Sequence, residues 1–157
     1  MLISSKSCGE QKGSFVYTSD IMEESINVGG RHTADVLEGN IIDVKLASSS
    51  TDEEVAELGE FLEKLHELAV DLYNKKGEMI NALVDLSNFT SYSPKVVSLI
   101  ADVLKDDKPY IRKTATFGAS TFIKLAEETV FALAERNNFK AFDSKKEALE
   151  WLASPDL

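Results

Sequence analysis

A chain of 157 residues with 43% hydrophobic and 28% charged side chains is one domain's worth of polypeptide, enough to bury a continuous core. Its 27 acidic against 17 basic residues give a net charge of −10. That balance argues against nucleic acid and anionic membrane surfaces, whose binding rests on Lys and Arg neutralising phosphates. The single cysteine, Cys8, excludes an internal disulfide and a cysteine-built metal site.

The opening MLISSKSCGEQKGS holds too short an apolar run for a signal peptide. No window approaches the ~18 apolar residues of a membrane span. With the lone cysteine, these features predict a cytoplasmic protein with no transmembrane segment. Residues 1–13 read as a disordered arm, rich in Ser, Gly, Lys and Gln, ahead of one domain over 14–157.

FVYT at 15–18 reads as a short strand, and the stretch after it carries no clear pattern. RHTADVLEGNIIDVKLAS predicts a hairpin, with arms near 31–37 and 41–47 around Glu38-Gly39-Asn40. A long helix follows. Thr51 or Asp52 can cap it, Asp52, Glu53 and Glu54 suit the positive end of its dipole, and Lys75, Lys76 and Gly77 close it. Its predicted apolar stripe is Val55, Leu58, Phe61, Leu62, Leu65, Ala69, Leu72 and Tyr73.

From there strand-type and helix-type runs alternate. MINALVDL, IRKTATF and FKAF read as strands. Between them Ser93-Pro94 opens a helix striped by Val97, Ile100, Ala101 and Leu104. Ser120 or Thr121 caps the next, with a predicted stripe of Phe122, Leu125, Ala126, Thr129, Val130 and Leu133 and a break at Asn137-Asn138. Ser144 and Glu147 form a capping box for the last, which buries Ala148, Leu149, Trp151 and Leu152. The pattern predicts a single α/β domain. Its mixed sheet would have four to six strands, an N-terminal antiparallel hairpin then parallel strands, with about four helices.

Four stretches carry a resemblance: IIDVKLAS, ALVDLSNF, KTATFGAS and FKAFDSKKEALEWL. From Asn40 to Leu152 the chain resembles the STAS-like superfamily, closest to its SpoIIAA-like branch and related in fold to SEC14-like lipid-binding domains. The resemblance implies a non-catalytic regulatory module that binds a protein partner, as anti-sigma-factor antagonists do. The alternative it implies is a carrier or sensor of a small apolar or lipid-like ligand. Phosphorylation-switched members carry an Asp-Ser-Ser-Gly-like stretch after the central strand. Here that stretch reads Thr90-Ser91-Tyr92-Ser93-Pro94-Lys95, which argues against a kinase-controlled switch.

No residue pattern calls for a cofactor, a metal or a catalytic group. Gly118-Ala119-Ser120 lies where a nucleophile elbow would place its serine, but Phe122 replaces the second glycine. The histidines available as a base are His32, in the hairpin, and His66, read as a boundary helix residue. Ser120 is therefore read as a helix cap, and a hydrolase built on it ranks third. The carboxylates Asp52, Glu53, Glu54, Glu57, Glu60, Glu63 and Glu67 read as a solvated helix face, or as a docking surface for a basic partner. Open α/β sheets place ligands at the carboxyl ends of their strands. The candidate partner- or ligand-binding residues are accordingly Ser91, Tyr92, Ser93 and Lys95 in an expected 90–95 loop, with Ala119, Ser120 and Thr121 in the neighbouring turn.

Overall fold

Alternating apolar residues in the first half fold into hairpins, and the long periodic runs in the second half fold into helices between parallel strands. The computed structural model describes residues 15–17 and 24–155; the arm expected over residues 1–13 lies outside the described residues. The strands are β1 (Phe15–Tyr17), β2 (Glu24–Val28), β3 (His32–Leu37), β4 (Ile41–Ser49), β5 (Ile80–Tyr92), β6 (Ile111–Phe117) and β7 (Phe139–Phe142). The helices are α1 (Asp52–Lys76), α2 (Pro94–Asp106), α3 (Thr121–Ala134) and α4 (Lys145–Ala153). The strands form one sheet in sequence order, antiparallel from β1 to β4 and parallel from β4 to β7. The mixed sheet, antiparallel and then parallel, is the arrangement the pattern predicts, and β2, which the pattern does not show, brings its strands to seven.

Strand β2 is the element the sequence concealed. Ile26 and Val28 are buried on alternate positions, but only five residues separate the preceding unpatterned stretch from Gly29-Gly30. Both glycines have positive φ, and Asn27 Oδ1 accepts from Gly30 N at 2.9 Å to close the turn into β3. The five residues of β2, ESINV, carry Glu24, Ser25 and Asn27, residue types with little strand preference, so the alternation of Ile26 and Val28 does not stand out.

Each parallel crossover steps the same way along the sheet, so right-handed connections put α1, α2 and α3 on one face. Helix α1 lies over β2–β4 and α2 packs chiefly on α1 and α3. Thr51 caps α1 through a reciprocal capping box with Glu54, and Gly77 ends it in the left-handed conformation. The stripe predicted for α1 holds, with Leu68 buried as well. Helix α4 covers the opposite face, where Leu83, Ala115, Ala148 and Leu152 form a second core with Phe142 and Trp151 at its rim.

Three expectations need correction. The 90–95 region is not a loop: β5 runs through Ser91 and Tyr92, because β4 extends to Ser49 and pairs with Tyr92 across two register shifts. The stripe of α3 is rotated by about a residue, with Ile123, Glu127, Val130 and Ala134 buried and Phe122, Leu125 and Leu133 exposed. That of α2 holds, with Ala101 buried and Val97, Ile100 and Leu104 half-buried beside the buried Val96. Finally, α3 ends at Ala134, before Asn137-Asn138. Glu135 takes φ 56° there, which turns Arg136 inward to donate to Leu104 O, Ile111 O and Asn138 Oδ1.

Candidate functional site

The carboxyl ends of β5 and β6 bring the two halves of the expected site together. Ser93 caps α2 with Pro94 at its first turn, and Ser120 caps α3 by accepting from Ile123 N at 3.2 Å. Gly118 holds the second turn at φ 83°, close enough to Ser87 that an added Cβ would lie 2.4 Å from its Oγ. The aromatic groups then join the turns. Tyr92 stacks on Phe89 (6.1 Å) and on Phe122 (5.5 Å), which belongs to the first turn of α3.

The polar candidates lie apart from this stack. Ser91 accepts from Ser50 Oγ at 2.8 Å, its backbone N donates to Ser48 Oγ, and its side chain is exposed. Lys95 and Thr121 are exposed on the first turns of α2 and α3, while Ala119 packs partly against the main core. Neither histidine serves Ser120. His66 Nδ1 pairs with Asp107 Oδ1 at 2.5 Å, and His32 is buried and accepts from Ala47 N through Nδ1. Among the described residues no group of three or more metal-ligating side chains converges, and no helix is long and apolar enough to cross a membrane. The acidic face of α1 is partly used internally, since Arg31 contacts Glu57 at 2.8 Å and Glu54 at 3.7 Å.

Beneath α2 and α3 the packing opens. A cavity of about 120 Å3 lies between these helices, α1 and the sheet. Its walls are apolar, with Tyr92 among them, and its polar contributors are Asp107, Thr114, Thr116 and Glu127. Thr114 and Thr116 stand two residues apart on β6 and so share the face turned to the helices. Thr116 Oγ1 donates to Glu127 Oε1 at 2.6 Å, which fixes the carboxyl group. Glu127 Oε2 and Thr114 Oγ1 are buried with no partner. Burial raises the Glu127 carboxyl above the usual carboxylate range, against the Thr116 hydrogen bond and Lys124. Asp107 is raised by burial too, with His66 opposing.

The sequence points to the sheet edge and carries no pattern for the cavity beneath it. Glu127 escapes a sequence reading because acidic residues on a helix are ordinarily solvent-facing. The available signal was its position: Ile123, Glu127, Val130 and Ala134 fall on one stripe at three- and four-residue steps.

The wider comparison agrees with this architecture. A family model described as SpoIIAA-like matches residues 41–153. Among solved structures, this chain is similar to an uncharacterized protein from the DUF3478 family with a SpoIIAA-like fold, from Shewanella loihica PV-4. The two are 19% identical with a TM-score of 0.54, over 78% of this chain and 92% of that one. At that identity the likeness establishes the fold alone. No curated protein matches the chain. The match of the family model over most of the chain, on a fold of the same kind, means that the chain belongs to the SpoIIAA-like family.

Proposed function

We propose that this domain works by binding, without catalysis, and that its ligand is a small apolar molecule held between α2, α3 and the sheet. The observation that carries the reading is the apolar cavity of about 120 Å3 whose lining keeps two buried polar atoms unpartnered. Close-packed interiors leave few voids larger than a water molecule, and orphaned polar groups in them are rare. An engineered cavity of ~150 Å3 in another protein stays dry and binds benzene, which sets the scale of the guest. Toluene is a suitable probe. Titration followed by amide NMR is expected to give saturable shifts in α2 and α3 and a higher Tm, and Ala126→Phe, which fills the cavity, abolishes both. Toluene leaving the wild-type spectrum and Tm unchanged would sink the reading.

A second reading, a regulatory surface for a protein partner, is favoured by a separate observation. Phe122, Leu125 and Leu133 stand 58%, 60% and 48% exposed along α3, beside Tyr92 and the exposed Ser91, Lys95, Ser120 and Thr121. Large apolar side chains clustered on a surface mark interaction sites. Affinity capture tests it: Leu125→Glu and Lys95→Glu are expected to lose the partner while Tm stays within a few degrees. If both variants keep every captured protein, the stripe is not that surface.

A further inference from the structure

We propose that the cavity selects an apolar molecule bearing a hydroxyl group, which Glu127 and Thr114 recognise by hydrogen bonding. The inference rests on the cavity being a ligand site and adds the chemical class of the ligand.

Both unpartnered atoms belong to side chains more than nine-tenths buried, Thr114 at 4% and Glu127 at 8% exposure. They are also held in place. Thr114 is fixed by the β6 backbone, whose pairing with β5 and β7 runs through this residue. Glu127 is fixed through its other oxygen by Thr116. The floor of the cavity thus presents one hydroxyl, which can donate or accept, and one carboxyl oxygen.

The choice among head groups follows from what each would leave unsatisfied. A pure hydrocarbon leaves both atoms orphaned, at the full desolvation cost of each. A carboxylate ligand would set a second negative charge against Glu127 whenever that group is ionised. An ammonium ion would have to shed its water into apolar walls, a cost that a buried ion pair does not generally recover. A hydroxyl is neutral and both donates and accepts. It can donate to an ionised Glu127, accept from a protonated one, and in either state exchange a bond with Thr114. The apolar body is limited to roughly six to eight heavy atoms by comparison with cavities that hold benzene.

Benzyl alcohol and its isomer anisole separate the two claims, because they share size and atoms while only the alcohol can donate. Dissociation constants from amide NMR titration would be compared with those for toluene, benzylamine and benzoate. The expected result is that wild-type protein holds benzyl alcohol about tenfold more tightly than anisole. In Glu127→Leu and in the near-isosteric Thr114→Val, that ratio falls toward one while toluene remains bound. If toluene binds and the two isomers bind equally, the head-group inference is overturned and the cavity reading stands. If benzylamine or benzoate binds more tightly than the alcohol, the hydroxyl class is wrong. Should no aromatic probe bind, the cavity reading fails and this inference with it.

Discussion

Strand β6 sends one buried ionisable side chain to one face of the sheet and approaches another on the opposite face, and the two are treated differently. On the α4 side, Lys113 is fully buried and donates to Trp151 O at 2.7 Å, Ser154 O at 2.9 Å and Ser154 Oγ at 2.7 Å, with the Trp151 ring 4.7 Å away. An ammonium group has three protons to place, and these acceptors answer them. On the α2–α3 side, Glu127 has one oxygen bonded to Thr116 and the other unpartnered. A satisfied buried charge ties down a chain end, here the close of α4. A half-satisfied one in an apolar cavity adds little to the fold, and it is the feature on which the proposed ligand site rests.

The comparison makes its sharpest prediction in stability. Lys113→Met removes three charge-assisted hydrogen bonds and the contact with the Trp151 ring from a fully buried position, at a cost of about 3 kcal/mol by urea denaturation. Glu127→Leu removes a group that is already poorly served and should change stability by less than about 1 kcal/mol. Equal losses in the two variants would break the comparison, because Glu127 would then be structural in the same sense as Lys113.

How far the sequence revealed these two sites differs for a physical reason. The helix starts were legible because capping is local: Thr51, Ser93, Ser120 and Ser144 accept from amides two or three residues on. The meeting of the two strand ends was legible through topology, and the Tyr92–Phe122 stack realises it. The cavity was not legible, since it depends on where α2 sits relative to the sheet, a tertiary distance that no periodicity encodes. The rotation of α3 was hidden by its own composition. Phe122, Leu125 and Leu133 join Val130 in as good an apolar stripe as Ile123 and Ala134 do, and only the second pair is buried with it. Lys113 and Thr114 sit in a strand of mixed character, IRKTATF, where neither the burial of the lysine nor the threonine's missing partner leaves a local mark.

The pH dependence offers a smaller but more diagnostic contrast, because two buried groups act with opposite sign. Burial raises the Glu127 carboxyl. The folded state therefore holds its proton to higher pH than the unfolded state, whose value is near 4.5. This stabilising contribution is complete below pH 4.5 and is lost as pH rises through the folded-state value. In Glu127→Gln it is absent, so the variant should gain on wild type as pH rises above 4.5, and a constant difference from pH 4 to 8 would contradict the assignment. His32 runs the other way. Burial and then Arg31 lower it from 6.5, so its contribution is present above pH 6.5 and is lost as pH falls toward the folded-state value. Its Nδ1 accepts from Ala47 N, which leaves the proton of the neutral ring on the buried, unpartnered Nε2. Protonation would add a charge with no compensating acceptor.

The smallest expected effect tests whether an orphaned hydroxyl is a cost to the empty fold. Thr114→Val replaces Oγ1 with a methyl group of nearly the same volume, on a strand where a β-branched residue is at home. A well-bonded threonine loses stability on such a change, because a hydrogen bond is removed and the hydroxyl's partner is stranded. Thr114 has no side-chain partner to strand, so the variant should gain about 1 kcal/mol in urea denaturation without ligand. In saturating benzyl alcohol the order should reverse, since only the wild type offers the bound hydroxyl both of its partners. A variant less stable than wild type in both conditions would mean that Thr114 is bonded within the fold. The floor of the cavity would then be as satisfied as the Lys113 side of the sheet, and the difference between the two faces would disappear.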